Sequence, residues 1–203
     1  MCLLAIRNLG LDIEIRNIDI YKGEQNTPEF LKINPLHQVP TLVHEDFTLT
    51  ESRAIMMYLA TIADSPLYPR NDLKKRALVD SRLFYDATNS FVAVKDFARP
   101  VLRSGVKKIS PAAREGIKVL LSTLDSFLQS SAYFAGEELT LADLAILASV
   151  GTIKCWGVNL KEFPKLNDWF DRCKSLPGFA ENNEGSQILA EKLTKLLEEP
   201  LWK

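Results

Sequence analysis

The stretch Ile33–Ile55, INPLHQVPTLVHEDFTLTESRAI, decides the fold. Pro40 stands directly before the alternating run Thr41 to Val43, a turn follows at His44-Glu45-Asp46, and a second strand, Phe47 to Thr50, leads into Glu51-Ser52-Arg53. The order is strand, tight turn, strand, helix, with polar groups at both ends. A helix that opens at or just after Glu51 presents backbone N–H groups without intrahelical partners, together with the positive end of its dipole. Both suit a carboxylate. Ser52 adds a hydroxyl donor to that carboxylate, and Glu51 offers a negative charge to an ammonium beside it, so the pair fits an α-amino-acid terminus. At the other end, the residue before a proline is held extended, and Val39 offers its N–H and C=O in the manner of an edge strand. The cis penalty for an X-Pro bond is only about 0.5–1 kcal/mol. A cis Val39-Pro40 bond is therefore accessible and would let a peptide-like ligand pair with that backbone. The same residues also read as a helix cap and two turn signals, with no ligand implied.

The rest of the chain reads as scaffold. With 203 residues, 46% of them hydrophobic, it has the material for one large or two small domains. Twenty-five basic and 26 acidic residues give a formal net charge of −1, so no global field attracts nucleic acid or an anionic membrane. No apolar run approaches the roughly 18 residues of a spanning helix. The Met1 region also lacks the cationic and small-residue features of a signal peptide, so the expected location is cytoplasmic. Cys2, Cys155 and Cys173 show no C-x-x-C spacing and read as reduced thiols, not a disulfide framework. His37 and His44 are the only histidines, and without thiolate or clustered carboxylate companions they make a poor metal site. No metal is expected.

Met1 to Leu11 reads as the end of an amphipathic helix with Gly10 as its C-terminal cap. Ile13, Ile15, Ile18 and Ile20 predict a strand whose alternation shifts at Arg16-Asn17, and Pro28 to Leu31 predicts a short helical turn. The Glu51 to Ala63 helix completes an α/β unit over residues 1–64. Asp64 to Asp72, with Pro66, Pro69 and Asn71, has the composition of a linker. Residues 72–203 predict helices only, at about Leu73 to Leu102, Pro111 to Gln129, Leu141 to Cys155, Lys165 to Ser175 and Ser186 to Leu197. Thr140 and Asp143 form a capping pair, in which Thr140 is the N-cap and the Asp143 carboxylate returns a bond to its backbone N–H. That assigns them to folding.

The segments FLKINPLHQVPTL (30–42) and LTESRAIMMYLA (49–60) resemble the glutathione-binding half of a cytosolic glutathione transferase, most similar to the delta and epsilon classes. The resemblance runs on in family order through YKGEQ (21–25), TPEF (27–30), LYP (67–69), KRA (75–77), RLFYD (82–86), LTLADL (139–144), FPKL (163–166), WF (169–170) and PGF (177–179). It implies an α/β plus all-α architecture: a thioredoxin-like N-terminal domain followed by a C-terminal helical-bundle domain. It also implies a homodimer and glutathione as co-substrate for hydrophobic electrophiles. By the resemblance, His37 contacts the glycine end of glutathione, Val39, before Pro40, pairs with the cysteinyl backbone, and Glu51, Ser52 and Arg53 hold the γ-glutamyl group. Gln25 falls where many relatives carry a histidine for the glycyl carboxylate. Phe91 and Val94 fall where the family's hydrophobic pocket residues fall, although an aromatic series such as Phe84, Tyr85, Phe91 and Phe97 also reads as core. Asp86 falls near a position that in relatives reaches across a dimer interface, and it reads equally as a solvated helix charge.

A free thiol has a pKa near 8.5, which leaves a few per cent thiolate at neutral pH. In the family a serine hydroxyl at the end of the first strand lowers that value. Aligned on Leu9-Gly10-Leu11, Met1 falls inside the family's first helix, so the first strand and the activating serine are expected to be absent from this chain, and Cys2 lies too far along the helix to replace them. Two classes of function follow: a transferase acting in detoxification, or a non-catalytic protein that keeps the fold and the ligand site as a binding module. A fold-only structural module fits less well, since His37, Glu51 and Ser52 are all retained.

Overall fold

The computed structural model describes residues 1–202. In chain order its elements are α1 (Cys2–Leu9), α2 (Pro28–Ile33), β1 (Leu42–His44), β2 (Phe47–Leu49), α3 (Ser52–Ile62), α4 (Leu73–Tyr85), α5 (Phe91–Ser104), α6 (Pro111–Phe127), α7 (Leu141–Cys155), α8 (Pro164–Cys173) and α9 (Phe179–Leu196). Local chemistry sets most of the boundaries. The Thr27 hydroxyl accepts the Phe30 N–H at 3.3 Å with Pro28 as the first residue of α2, and the Ser110 hydroxyl accepts the Ala113 N–H at 3.1 Å with Pro111 as the first residue of α6. Each pairs a hydroxyl cap with a proline whose missing N–H costs the first turn nothing. Gly10, at φ 65°, closes α1 in the left-handed conformation that an L-residue adopts only at a cost.

The core is built around α7. Eleven of its 15 residues are buried, on every side of the helix, and α4, α5 and α9 pack against it. Burial of a large apolar side chain stabilises by roughly 1.5–3 kcal/mol, so Leu141, Leu144, Ile146, Leu147, Val150 and Ile153 make α7 the main contributor to the helical layer. A second, smaller cluster of Ile6, Ile55 and Leu59, flanked by Leu42, Leu49 and Tyr58, joins α1 and α3 to the hairpin. In that hairpin β1 and β2 pair antiparallel with Leu42 opposite Leu49 and His44 opposite Phe47. The Tyr58 hydroxyl lies 2.7 Å from His44 Nδ1, which fixes the hairpin to α3.

Three expectations are corrected. Ile13 to Ile20 forms no strand, because no neighbouring segment among the described residues supplies a ladder for its isoleucines. The helix expected over Leu73 to Leu102 is two helices, α4 and α5, joined by a π turn at Asp86–Ser90, and it runs on to Ser104. The last helix starts at Phe179, seven residues before Ser186. Its polar first half is a poor helix former by sequence and packs against α7, where Thr152 Oγ1 lies 3.1 Å from Ser186 Oγ, with an exposed Arg7–Glu181 ion pair reaching α1. The stretch read as a linker is well anchored: Leu67 C=O accepts the Leu141 N–H at 2.9 Å, and the buried Tyr68 donates its hydroxyl to Asp80 at 2.7 Å.

Candidate functional site

Glu51 precedes α3 with φ 66° and ψ 108°, a conformation that is rare for a residue with a side chain. The bend leaves Glu51 exposed and turns Ser52 inward to 9% exposure, with α3 beginning at Ser52. Arg53 donates from Nη1 to the Ser52 hydroxyl at 3.2 Å and from Nε to Asp86 Oδ2 at 3.1 Å, with a second, short contact from Nη2 to the same oxygen. Asp86 is fully buried, and its other oxygen accepts the Ser149 hydroxyl of α7 at 3.0 Å. It is therefore neither a solvated charge nor free to reach outward, since the π turn carries it into the protein, where Arg53 and Ser149 satisfy it. Ser90, at the far end of that turn, is also buried, and its hydroxyl has no partner. Sequence reasoning missed the Arg53–Asp86–Ser149 chain. The only signal was a polar Asp86 between apolar neighbours on a predicted helix.

The Arg53 guanidinium lies 5.4 Å from the centroid of the Phe91 ring, so the first turn of α3 and the expected hydrophobic pocket adjoin. Phe91 is exposed, and Val94, one turn further on, is half-buried against the rim of the core. Cys2 Sγ donates to the Ser52 carbonyl at 3.5 Å, and burial pushes this thiol above its usual value, which keeps it protonated.

His37, Val39 and Pro40 sit on the loop between α2 and β1. The Val39-Pro40 bond is cis, Val39 is exposed, and His37 has φ 45°. The loop is organised by Asn34, a residue the sequence marked only as half of a turn signal. It is 1% exposed, its Nδ2 donates to Gln38 O (2.9 Å) and Thr41 Oγ1 (3.0 Å), and its Oδ1 accepts the Leu36 N–H (3.0 Å). Gln25 lies on a separate 3-10 turn at Glu24–Asn26, where its Oε1 is buried without a partner. Thr140 and Asp143 are remote from these groups. The Asp143 carboxylate accepts the N–H groups of Thr140 (2.9 Å) and Phe134 (3.0 Å), the Thr140 hydroxyl (2.9 Å) and Trp169 Nε1 (3.0 Å).

A concavity of about 370 Å³ lies between the end of α6 and α8 and shares no residue with this site. Among the described residues no group of three or more His, Cys, Asp and Glu side chains could hold a metal ion, and no helix is long and apolar enough to cross a membrane.

A thioredoxin-like N-terminal unit with a two-stranded sheet, followed by an all-helical domain, is the architecture of this chain, and comparison with known proteins gives it a family. Residues 1–61 match the glutathione S-transferase N-terminal domain and residues 87–177 the glutathione S-transferase C-terminal domain. Glutathione S-transferase D7 of Drosophila melanogaster is 37% identical over 188 residues, covering 91% of this chain and 83% of that protein. A delta-class glutathione transferase of Nilaparvata lugens superposes with a TM-score of 0.90 at 39% identity, covering 96% of this chain and 92% of that one. A Drosophila mojavensis glutathione transferase homologue with bound glutathione gives 0.91 at 30% identity, over 97% and 91% of the two chains. The chain belongs to the glutathione S-transferase family, a family of transferases.

Proposed function

We propose that this protein conjugates the thiol of glutathione to hydrophobic electrophiles, as a cytoplasmic homodimer acting in detoxification. The observation that carries the reading is the start of α3, where the inward Ser52 hydroxyl is held by Arg53, and Arg53 is held by the buried Asp86. A carboxylate placed there meets the unpaired N–H groups of the first turn and a hydroxyl of fixed orientation. Glu51, exposed one residue earlier, takes the ammonium of the same γ-glutamyl group. Val39 pairs its backbone with the cysteinyl residue, His37 and Gln25 hold the glycyl end, and Phe91 with Val94 receives the apolar body of the electrophile. With the tripeptide anchored at both ends, the thiolate sulfur attacks the electrophilic carbon. The leaving group departs with its electron pair, and the thiol proton passes to solvent.

The domain division that accompanies this reading puts residues 1–64 with glutathione and residues 72–203 with the electrophile. A homodimer is supported by large apolar side chains left outside on α4 and the hairpin, among them Leu73 (77% exposed), Phe84 (68%) and Phe47 (45%).

The deciding experiment is calorimetry of glutathione binding alongside conjugation of a chlorodinitrobenzene-type electrophile. Ser52→Ala and Glu51→Ala should each weaken glutathione binding, since a hydrogen bond to a charged group contributes roughly 1.5–3 kcal/mol. Unchanged affinity in both variants would overturn the assignment. Sedimentation showing a monomer at micromolar concentration would overturn the dimer.

A further inference from the structure

Residues 197–202, which follow α9, cross the loop between α5 and α6 and are fastened there by a compact set of polar bonds. Glu199 Oε1 accepts the Ile109 N–H at 2.9 Å and Arg114 Nη2 at 2.8 Å. The same Arg114 nitrogen donates to the Pro200 carbonyl at 3.2 Å, and Arg114 Nη1 donates to the Ile109 carbonyl at 3.0 Å. The Glu198 N–H donates to the Lys107 carbonyl at 3.0 Å. The ion pair is mostly buried, with 16% of the Arg114 side chain and 12% of the Glu199 side chain exposed. Beside the fastening Leu201 is buried, and the Trp202 ring lies 6.4 Å from that of Phe97, which in turn stacks on Trp156 at 4.2 Å. The charges are complementary: residues 105–114 carry Lys107, Lys108 and Arg114 and no acid, whereas residues 197–202 carry Glu198 and Glu199 and no base. A mostly buried carboxylate that depends on one guanidinium loses its seat when the guanidinium is drawn away, because the charge left behind has no compensation.

Ser110 stands at this fastening. It is exposed, its backbone is extended at φ −65° and ψ 144°, and Pro111 follows it. A serine or threonine before a proline is the acceptor dipeptide of proline-directed protein kinases. The chain has two others, Thr27-Pro28 and Ser65-Pro66. Thr27 has Glu24 and Glu29 as near neighbours, while Ser65 follows Asp64 and is half-buried, with its hydroxyl accepting the Leu67 N–H. Ser110 alone of the three has no acid within four residues on either side. We infer that Ser110 is a phosphorylation site and that its phosphoryl group releases residues 197–202 from the loop between α5 and α6. In the transfer the Ser110 Oγ attacks the γ-phosphorus of a nucleoside triphosphate bound by the kinase, the nucleoside diphosphate leaves with the bonding electron pair, and the hydroxyl proton goes to a kinase carboxylate. The product carries close to two negative charges and three acceptor oxygens at the start of α6, where the unpaired N–H groups, the helix dipole and the exposed Lys107 and Lys108 all favour it. Arg114 lies one turn along α6 from Ser110 and is already bonded to the carbonyl of the residue before it, so the new phosphate competes with Glu199 for the guanidinium. Glu199, seated on the Ile109 N–H, then faces a like charge on the next residue. The inference stands apart from the transferase reading, since it uses no residue of the glutathione site.

The test treats the full chain with a proline-directed protein kinase and adenosine triphosphate, maps the product by mass spectrometry, and follows amide hydrogen exchange before and after. The expected result is a phosphoryl group on Ser110 and exchange in residues 198–202 about tenfold faster in the modified protein, with tryptophan emission shifted to the red as Trp202 leaves Phe97. Glu199→Gln without kinase treatment should show the same faster exchange, since it removes the charge that Arg114 holds. Ser110→Asn retains a capping side chain and with it the start of α6; it should take up no phosphate at this position and keep slow exchange after the same treatment. Incorporation at Thr27 or Ser65 in place of Ser110, or none at all, would overturn the site. Phosphorylation of Ser110 that leaves exchange in residues 198–202 unchanged or slower would overturn the release, because the phosphate would then leave Glu199 in its seat.

Discussion

Asp86 accepts Arg53 on one carboxylate oxygen and the Ser149 hydroxyl on the other, so a fully buried carboxylate ties the first turn of α3 to the central helix α7. The arrangement explains the π turn. Opening the helical repeat at Asp86–Ser90 admits an extra residue into one turn, and both ends of the turn, Asp86 and Ser90, face inward while Thr88 and Asn89 do not. The Ser52 hydroxyl is thereby oriented from the interior of the helical domain, through Arg53.

Replacing Asp86 tests this. Removing one partner of a buried ion pair costs about 3–5 kcal/mol, because the other charge stays behind without compensation. Asp86→Ala should lower unfolding stability by that order, and Asp86→Asn, which keeps the shape and the bond to Ser149, by less. In both variants glutathione affinity should fall, since Arg53 no longer holds the Ser52 hydroxyl in place. Urea unfolding and calorimetry separate the two effects. An Asp86→Asn protein that binds glutathione as tightly as the original would show that Asp86 does not set the orientation of Arg53.

Asp143 predicts a different outcome, loss of stability with no direct change at the ligand site. Its carboxylate accepts four donors, two of them backbone N–H groups, and it is completely buried. A helix cap alone is worth about 0.5–2 kcal/mol, and each buried donor left without a partner costs about 1–3 kcal/mol more. Asp143→Ala should therefore destabilise by on the order of 3 kcal/mol or more, well beyond a surface cap. The check is chemical denaturation, with glutathione binding measured under conditions where the variant is fully folded. A loss below about 1 kcal/mol would mean that Phe134, Thr140 and Trp169 find other acceptors.

These two aspartates show what the sequence discloses. The Asp143 cap was legible because Thr140 and Asp143 stand three residues apart and the chemistry of a helix start is local; α7 begins at Leu141 and ends at Cys155, as its pattern predicts. The hairpin and α3 were legible for the same reason. The Arg53–Asp86 pair spans 33 residues, and no periodicity signals it. The π turn was hidden because RLFYDATNSF contains no glycine or proline to mark a break. Ile13 to Ile20 has strand composition, but a strand exists only with a neighbour, and composition does not report neighbours. The early start of α9 likewise comes with contacts distant in sequence, packing on α7 and an Arg7–Glu181 ion pair that spans 174 residues.

Cys173 gives a prediction at alkaline pH. It is 1% exposed at the end of α8, and burial, reinforced by the nearby Asp143 carboxylate and opposed by Arg172, raises its thiol from 9.0 to about 12. For an acid whose pKa is raised by folding, the neutral form is the one the native state favours. The unfolded chain releases the proton above 9.0 and the folded chain only near 12, so between those values the native state binds more protons and stability falls as pH rises. Below 9.0 both states are protonated and Cys173 contributes no slope. Unfolding free energy should therefore decline more steeply with pH above 9.0 in the unaltered protein than in Cys173→Ala, with the two curves parallel below it. Cys173 should also resist a disulfide reagent at mildly alkaline pH until the protein is unfolded, whereas Cys155, only half-buried, reacts first. Parallel curves across the whole range, or modification of Cys173 in the native protein at the rate of a free thiol, would mean that α8 opens at this point and that the thiol is not held in the interior.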